Sequence, residues 1–497
     1  MISDELFEVL TQFEVVPNAT IIDLGFEPPR VHTSEDANIR IKAIANGLTN
    51  LGLPENPRIA VVSKNSYEFI CLWLAISQAG FTIIPINYKL PKEQLEYCLE
   101  DGDTHIVFYE SEFKDLIPAK YRSYEILSTE YESILNYDTF VRPKWDKDAI
   151  HCIMYTSGTT GSPKGVVTTY ENKMWSNTHF VHANESGPPT TYLHVSPLYH
   201  LAGSHGLINT LSFSGSKRLT TVIMPKFDAK QFIKLVEKYR VTDLRLVSPM
   251  MAMILAERQL LTSTDVSSVR VVSLTSSHAP EKMQKEIRAF FRGVRVINNP
   301  YGLTETGPIF GGHPQKIPKP IGSVGYPYDN VEVRIVDGVL QVRSKGILIG
   351  YHKKDDMYKK SMTDDGFFIT GDLFRVNKYG FYFYMGRADD MFKSGGEKIY
   401  PTEIEAILDR HPDVAMSAVV GVPDDVKGFK PYAFVQLKVD KTDDIEQAIK
   451  EFAIKNVASY QIPRQVWVLD DLPKTQIGKI DRRLLTDMAK ELLAKSK

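Results

Sequence analysis

The residues between Thr156 and Gly165 combine hydroxyls, glycines and one lysine, which is the chemistry needed to hold a multiply charged anion. Glycines allow successive backbone N–H groups to turn toward one anion, hydroxyls add donors, and Lys164 adds positive charge. The segment is not a Walker A loop, because that pattern would place glycine where Pro163 stands. We predict a polyphosphate site, with a flexible surface loop as the alternative. The candidate phosphate ligands are Thr156, Ser157, Gly158, Thr159, Thr160 and Lys164.

A second group of reactive side chains lies in Tyr301–Gly307, directly after a predicted strand. The face of Tyr301 can stack on a purine, the hydroxyl of Thr304 can bond a phosphate oxygen, and Glu305 can supply a hard oxygen ligand to Mg²⁺. A helix cap with Thr-x-Glu spacing is the alternative. Further along, Asp372 stands in a Thr-Gly-Asp turn, where its carboxylate either binds a ligand or satisfies its own backbone.

The elements that must position these groups follow a repeating order of strand, turn and helix between residues 40 and 390. Several predicted strands are apolar on both faces, which is typical of parallel strands covered by helices. The predicted fold class is α/β with a large doubly wound component. The predicted strands are Arg58–Val62, Ile106–Tyr109, Ile150–Tyr155, Tyr192–Val195, Thr220–Met224, Arg245–Val247, Val269–Leu274 and Val294–Asn298.

The pattern changes near Asp372, where a β-hairpin is predicted around an Asn-Lys-Tyr-Gly turn. Strands at Met416–Val422 and Ala433–Val439 and a helix over 445–457 then predict a small α+β unit. We therefore predict two domains, a large one over residues 1–388 and a small one over 389–497, as expected for a chain of this length.

Composition narrows the function class. A formal net charge of -2 argues against nucleic acid as the main partner, because binding a phosphate backbone needs a basic surface. The most apolar stretch, Phe69–Pro85, is too short and too mixed for a membrane span, and predicts a buried helix followed by a strand. The N-terminus lacks the bases of a signal peptide, the end is not a peroxisomal Ser-Lys-Leu address, and three widely spaced cysteines indicate reduced core residues. We expect a cytoplasmic protein.

The phosphate loop and its downstream segments resemble, in order, those of the adenylate-forming superfamily, which includes acyl-CoA synthetases, peptide-synthetase adenylation domains and beetle luciferases. The resemblance covers roughly residues 35–485 and is closest to acyl- or aryl-CoA ligases. The matching segments are Pro197–His200, Tyr301–Gly307, Gly322–Gly325, Thr370–Asp372, Gly386–Asp390 with its continuation through Glu405, and Pro473–Lys479.

The resemblance implies ATP, Mg²⁺ and coenzyme A as ligands of an enzyme that forms an acyl-adenylate and then a thioester. It implies that Lys479 bridges the acid and the α-phosphate, that Asp389 is a hinge for the small domain, and that Gly395 and Gly396 line the acceptor channel. It also implies catalytic roles for His200, Thr304 and Glu305. The nucleotide residues that it implies beyond the loop are Ser277, His278, Asn299, Tyr301, Asp372 and Arg387.

The carboxylic acid is expected to lie near Tyr199 and His200, an aromatic-His pair like that of acyl- and aryl-CoA synthetases. No carboxylate stands where amino-acid-activating domains carry one for the substrate ammonium, so amino-acid activation is not expected. We predict an aromatic or medium-length apolar acid, with core packing as the alternative for His200 and for the methionines. The predicted acyl-pocket residues are Tyr199, Ser204, Met250, Gly302 and Ile309.

Two departures from the family pattern concern the pocket and the acceptor. His278 replaces a small residue, and Gln461 replaces a lysine near the expected position of the acceptor's phosphates. These departures motivate an alternative in which the acyl group passes to an amine or a carrier protein. A catalytically dead nucleotide binder is a further hypothesis. It is opposed by four intact residues, Lys164, Glu305, Asp372 and Lys479. Nothing in the sequence points to a luciferase-type oxygenase, and no oligomeric state is predicted.

Overall fold

The computed structural model describes residues 12–143, 146–156, 163–181, 189–213, 218–275, 281–438, 441–474 and 480–495. Within these ranges, two large sheets of seven strands each form the first part of the chain. The first sheet is parallel except at one edge, where Ala19–Asp23 pairs antiparallel with Arg30–Thr33. Its strands, in spatial order, are Val296–Asn298, Val271–Thr275, Asp243–Val247, Thr190–His194, Leu219–Ile223, Ala19–Asp23 and Arg30–Thr33.

The second sheet has a parallel half and an antiparallel edge, and it carries the start and end of the phosphate loop. Ile150–Thr156 pairs antiparallel with Lys164–Thr169, so that Thr156 lies opposite Lys164. The sheet's strands, in spatial order, are Gly350–Tyr351, Lys164–Thr169, Ile150–Thr156, Thr82–Pro85, Arg58–Val62, Ile106–Tyr109 and Arg122–Glu125.

The helix Tyr67–Gln78 explains why the sequence between 58 and 85 is so apolar. Every residue of this helix is buried, and it shares one core with Ile21 of the first sheet and Ile59 of the second. The hydroxyl of Ser66 caps its start by accepting from the backbone N–H of Phe69 at 3.1 Å. A helix covered on both sides in this way joins the two sheets, and the predicted helix-then-strand interpretation of Phe69–Pro85 is confirmed.

Two smaller sheets follow. The first is antiparallel and contains the predicted hairpin, with the side chain of Asn377 accepting from two backbone N–H groups in the turn. Its strands are Glu332–Val336, Val339–Arg343, Phe368–Val376 and Tyr382–Arg387. Two short antiparallel pairs precede it, Gly302–Leu303 with Gly307–Pro308 and Phe310–Gly311 with Tyr326–Pro327.

The last sheet begins at Phe392 and carries its own core, centred on Ile404, Val419 and Val435. Both predicted strands and the predicted helix of this region are present, with bounds shifted by a few residues. The domain boundary at 388–390 remains a prediction, and it falls in the short connection before this sheet. The strands are Phe392–Ser394, Glu397–Ile399, Val414–Asp424, Gly428–Leu437 and Val466–Val468.

Helices cover the sheets in the described part of the chain. Those of the first part are Ser34–Thr49, Tyr67–Gln78, Lys92–Asp101, Thr129–Ile134, Tyr170–Val181, Leu201–Phe213, Ala229–Lys238, Ser248–Ala256, Arg258–Ser263, Glu281–Phe290 and Asp355–Ser361, with a 3₁₀ turn at Ser111–Leu116. Those of the last part are Pro401–Leu408, Ile445–Asn456 and Arg482–Lys495. Within these ranges, no helix is both long and apolar enough to cross a membrane. The three cysteines are buried and free, as predicted.

The side chain of Lys173 is an unfavourable feature of this interior. Its ammonium donates to Oδ1 of Asn209 at 2.9 Å, and burial lowers the pKa of Lys173 to about 8. Since the ordinary pKa is 10.5, the unfolded state holds this proton more tightly than the folded state. The resulting loss of stability is complete below about pH 8 and disappears as the pH rises through 10.5.

Replacing Lys173 by Met should therefore raise the free energy of unfolding by about 1–2 kcal/mol at pH 7. The gain should shrink when the same denaturation measurement is made at pH 10. Lys234→Met, on an exposed position of the helix Ala229–Lys238, is the matched control and should change stability little at either pH. A gain of equal size at pH 7 and pH 10 would contradict this account of Lys173.

Candidate active site

A cavity of about 1500 Å³ lies where the ends of the two large sheets meet the two smaller sheets. Parallel sheets bind ligands outside the carboxyl ends of their strands, and this cavity has that position. We call it the central cavity. The predicted site residues that line it are Thr156, Lys164, Tyr199, His200, Asn299, Tyr301, Gly302, Thr304, Glu305, Asp372 and Arg387.

The first cluster of charged side chains in the cavity joins the end of the phosphate loop to the Tyr301–Gly307 segment. The ammonium of Lys164 donates to Oε1 of Glu305 at 2.9 Å and lies 4.3 Å from the ring centre of Tyr351. The hydroxyl of Tyr351 donates to the same Oε1 at 3.1 Å. Burial and the Glu305 carboxylate raise the pKa of Tyr351, which therefore remains a hydrogen-bond donor. The ammonium of Lys164, the carboxylate of Glu305 and the neutral hydroxyl of Tyr351 thus contact one another.

Thr156 adds a further hydrogen-bonding group beside this cluster. Its hydroxyl is buried and makes no hydrogen bond to any described residue. A buried hydroxyl left unsatisfied costs free energy unless a ligand or water completes it. Since Thr156 lies opposite Lys164 in the sheet, both groups face the same end of the cavity.

The second charged group lies on the antiparallel sheet. The carboxylate of Asp372 accepts from the hydroxyl of Tyr301, and its Oδ1 accepts from Nη1 of Arg387 at 2.8 Å. The same Nη1 donates to the carbonyl of Thr370 at 3.0 Å. Burial and Asp372 raise the pKa of Tyr301 well above its ordinary value, so its hydroxyl stays protonated. These bonds fix the carboxylate and the guanidinium before any ligand arrives.

Two glycines permit the close approaches in these groups. Gly371 has φ of +70°, and a Cβ there would lie 2.9 Å from Nη2 of Arg387. A Cβ on Gly302 would lie 2.3 Å from the carbonyl oxygen of Gly307. A side chain at position 371 would therefore displace the guanidinium of Arg387, and one at position 302 would displace the backbone of Gly307.

The part of the cavity predicted to bind the carboxylic acid includes Tyr199 and His200, at the start of the helix Leu201–Phe213. The hydroxyl of Tyr199 is buried and makes no hydrogen bond to any described residue, and Nδ1 of His200 accepts from the backbone N–H of Ala202 at 3.3 Å. Three of the predicted acyl-pocket residues do not line the central cavity. Ser204 is buried and donates to the carbonyl of His200, Met250 packs against the core of the first sheet, and Ile309 belongs to the core under the antiparallel sheet.

The last part of the chain contributes polar groups that had no predicted role, although Glu405 ends a segment that matches the family pattern. Arg482 and Glu405 both line the cavity, where Nη2 of Arg482 donates to Oε2 of Glu405 at 2.9 Å. Nε of Arg482 lies 3.2 Å from Oδ2 of Asp390. Burial disfavours the charged guanidinium and by itself lowers the pKa of Arg482. The carboxylates of Glu405 and Asp390 outweigh this effect and raise the pKa above its ordinary value. The position of Arg482 three residues after Lys479 was the signal available in the sequence.

Lys282 makes a further connection between the first sheet's helices and the last part of the chain. Its ammonium donates to the carbonyls of Asp409 at 2.8 Å and His411 at 3.0 Å, at the end of the helix Pro401–Leu408. Burial raises the pKa of Asp409, which lines the cavity, to about 7. The two parts of the chain therefore meet through a lysine that binds backbone carbonyls.

The remaining predicted positions lie away from the cavity or outside the described residues. Asp389 is exposed in the connection before the last sheet. Gly395 and Gly396 form a hairpin turn with positive φ and open space around each Cα. Gln461, which replaces the family lysine, donates from Nε2 to Oε2 of Glu403 at 3.1 Å. Outside the described residues lie Ser157, Gly158, Thr159, Thr160, Ser277, His278 and Lys479.

Two family models match the chain. The model described as AMP-binding enzyme matches residues 11–350, and the model of the AMP-binding enzyme C-terminal domain matches residues 403–479. The chain is a member of the AMP-binding enzyme family. The resemblance stated from the ordered motifs is confirmed, and so is the α/β fold class with a large first domain and a small second one.

Known relatives match almost the whole length of the chain. A 2-succinylbenzoate–CoA ligase of Listeria monocytogenes is 30% identical over 92% of this chain and 94% of its own length. ATP-bound MatB from Rhodopseudomonas palustris has a TM-score of 0.85 at 25% identity, with 98% of this chain and 99% of that chain covered. The o-succinylbenzoate CoA synthetase of Bacillus subtilis, bound to its acyl-adenylate intermediate, has a TM-score of 0.80 at 25% identity, with 97% and 98% covered.

Asp372→Asn should weaken ATP binding about 10- to 100-fold, because an amide cannot accept from Tyr301 and Arg387 with the strength of a carboxylate. Titration calorimetry with a non-hydrolysable ATP analogue measures this directly. Asp365→Asn is the matched control, since Asp365 also pairs with an arginine, Arg334, at 2.6 Å but lies outside the cavity. Equal affinity of the Asp372 and Asp365 variants would contradict a nucleotide-binding role for Asp372.

Proposed function

We propose that this protein uses ATP to convert an apolar or aromatic carboxylic acid into its acyl-adenylate and then into a coenzyme A thioester. The observation that carries the proposal is the convergence of two prearranged charge groups on one cavity, Lys164 with Glu305 and Asp372 with Arg387. The relatives named as acid–CoA ligases support the choice of reaction. We place the reaction in the cytoplasm.

The nucleotide would span the distance between the two charge groups. The carboxylate of Asp372 would accept from the ribose hydroxyls, while Arg387 beside it would bind ribose and phosphate oxygens. Tyr301 is held by its hydrogen bond to Asp372 and by an edge-to-face contact with Phe374, whose ring centre lies 4.9 Å from that of Tyr301. These contacts fix the plane on which adenine would stack. Thr156, Thr304 and Lys164 would then meet the phosphates at the other end.

Glu305 is the carboxylate best placed to hold Mg²⁺. Its two described contacts are both made to Oε1. Within the described ranges, no cluster of three or more acidic, His or Cys side chains forms a metal cage. Mg²⁺ in ATP-using enzymes commonly binds one or two carboxylates together with substrate phosphates, so a single carboxylate fits. Bound there, the ion would neutralise charge on the phosphates.

Adenylation requires a carboxylate to attack the negatively charged α-phosphate. The acid attacks the α-phosphorus, the bond to pyrophosphate breaks, and acyl-AMP forms. We assign to Lys479 the role of reducing repulsion between the two anions and stabilising the charge of the transition state. His200 would position the acid carboxylate from the start of the helix Leu201–Phe213.

The second step would transfer the acyl group to the thiol of coenzyme A and release AMP. We propose that it follows rotation of the small domain about Asp389, which would bring the Gly395–Gly396 turn to the cavity. The open space around both glycines would let a thin pantetheine arm pass. Gln461 is bound to Glu403 and carries no charge, so other groups must bind the acceptor's phosphates.

The proposal predicts acid-dependent release of pyrophosphate from ATP and Mg²⁺, followed by an acyl-CoA product when coenzyme A is added. Mass spectrometry of products formed with coenzyme A, with simple amines and with neither identifies the acceptor. Glu332→Gln, a surface carboxylate paired with Arg343, is a preparation control that should leave all rates unchanged.

Two results would count against parts of the proposal. Acyl-AMP that accumulates with coenzyme A but disappears with amines would identify an amide-forming ligase and overturn the thioester step. Absence of pyrophosphate with every acid of an aliphatic and aromatic panel would overturn adenylation itself and favour a nucleotide binder.

A further inference from the structure

The ammonium of Lys282 joins two helices that belong to different cores of the protein. Lys282 stands in the first turn of the helix Glu281–Phe290, whose Ile287 is buried in the core of the first sheet. It donates to backbone carbonyls at the end of the helix Pro401–Leu408, whose Ile404 is buried in the core of the last sheet. The contact therefore links the large first part of the chain to the small last part.

Three backbone carbonyls receive this one ammonium. Nζ of Lys282 lies 2.8 Å from the carbonyl oxygen of Asp409, 3.0 Å from that of His411 and 3.5 Å from that of Val414. The last turn of a helix leaves carbonyl groups without partners inside the helix and carries a partial negative charge, so a cation is favoured there. An ammonium has three N–H donors, which matches the number of acceptors. The two helices are therefore joined by directed hydrogen bonds.

The other end of the same helix is also bound to the first part of the chain. The hydroxyl of Thr402 donates to the carbonyl of Met385, in the strand Tyr382–Arg387. Met385 precedes the predicted hinge at Asp389, whereas Thr402 follows it. The helix is therefore held at both ends, and between them it turns one face to the central cavity. The residues of that face are Thr402, Glu405, Ala406 and Asp409.

The helix in turn fixes the chain beside Lys479. Oε2 of Glu405, in the middle of the helix, accepts from Nη2 of Arg482 at 2.9 Å. Arg482 and Ile480 both line the cavity, and Ile480 directly follows Lys479. Because Glu405 stands on the helix that Lys282 holds, a shift of that helix would move Arg482 and the residues just before it.

A second ammonium weakens the contact. Burial, followed by the neighbouring ammonium of Lys438, lowers the pKa of Lys282 to about 8, although Glu286 and Asp409 act in the opposite direction. Lys282 stays charged at neutral pH, but it holds its proton less tightly than a lysine in water does. Nζ of Lys438 also lies 3.8 Å from Oε1 of Glu286, across the same junction. Attraction to the carbonyls, opposed by a like charge, gives a contact that can be formed and broken.

We propose that Lys282 is a positioning residue, which docks the helix Pro401–Leu408 against the large domain while the acid is activated and releases it for acyl transfer. The inference rests on the proposed function, because it gives Lys282 a task in the first of the two proposed steps. In the docked orientation Ile480 and Arg482 line the cavity, whereas the Gly395–Gly396 turn does not. Docking would therefore favour attack of the acid on ATP, and acyl transfer would require the ammonium to leave the carbonyls.

Replacing Lys282 by Met keeps an unbranched side chain but removes the ammonium. Acid-dependent exchange of labelled pyrophosphate into ATP should fall about 10-fold, a size expected when hydrogen bonds from a charged group are lost. Conversion of preformed acyl-AMP to product should stay within about threefold of the wild-type rate or become faster, because this step needs the helix undocked. Lys282→Arg should recover part of the exchange, since a guanidinium also donates to carbonyls. Equal losses in both reactions, or no loss in either, would overturn the proposal.

Cross-linking measures the docking itself and needs no substrate. Glu286 and Lys438 face each other across the junction, and the three native cysteines are buried. In a Glu286→Cys/Lys438→Cys protein, a short bismaleimide should join the two positions, and adding Lys282→Met should slow this reaction about threefold or more. The cross-linked protein should keep pyrophosphate exchange and lose acyl transfer. Cross-linking at the same rate with and without Lys282 would contradict docking by this residue.

Lys450 provides a matched control, and thermal unfolding of each variant checks that the fold is retained. Its ammonium also donates to a backbone carbonyl, that of Arg464 at 2.7 Å, but both residues belong to the small last part of the chain. Lys450→Met should leave exchange and acyl transfer unchanged, and a loss of exchange equal to that of Lys282→Met would overturn the proposal. If the wild type exchanges no pyrophosphate with any acid of the panel, the proposed function fails, and the cross-linking rates still decide whether Lys282 docks the helix.

Discussion

The ion pair between Lys164 and Glu305 joins segments that are 141 residues apart in the chain, at the point where two large sheets meet. Tyr351 contacts both partners, so a strand from a third segment is tied to the same charges. A charge buried without a partner would be costly, and the fold must therefore bring these segments together before a nucleotide binds. The proposed position of the phosphates, beside Lys164, follows from that constraint.

The pair of Asp372 and Arg387, which we propose binds the ribose, is positioned in the same way. Asp372 and Arg387 face each other across neighbouring strands of one hairpin, so their separation is set by sheet register rather than by a mobile loop. On the opposite wall, Arg245 lies on the face of the first sheet. The cavity thus places its charges on rigid elements, which suits a site that must hold two anions in contact.

Much of this arrangement was predictable because it is local. The strand Arg58–Val62, the capped helix Tyr67–Gln78 and the hairpin turn at Asn377 follow from periodicity and turn chemistry. The contact of Lys164 with Tyr351 was not predictable, since Tyr351 has no motif around it. Arg245 was included in a predicted strand, but only the folded sheet shows that it lies on the face that lines the cavity.

The central claim, that this cavity forms an acyl-adenylate, is tested most directly by exchange of labelled pyrophosphate into ATP without coenzyme A. We predict that exchange requires an acid substrate and falls about 100- to 1000-fold in Lys479→Ala, as expected when one transition-state donor is lost. The same variant should convert preformed acyl-AMP to product within about threefold of the wild-type rate, because no α-phosphate bond is then broken by the acid. Exchange that proceeds without an acid, or equal losses in both reactions, would contradict the account.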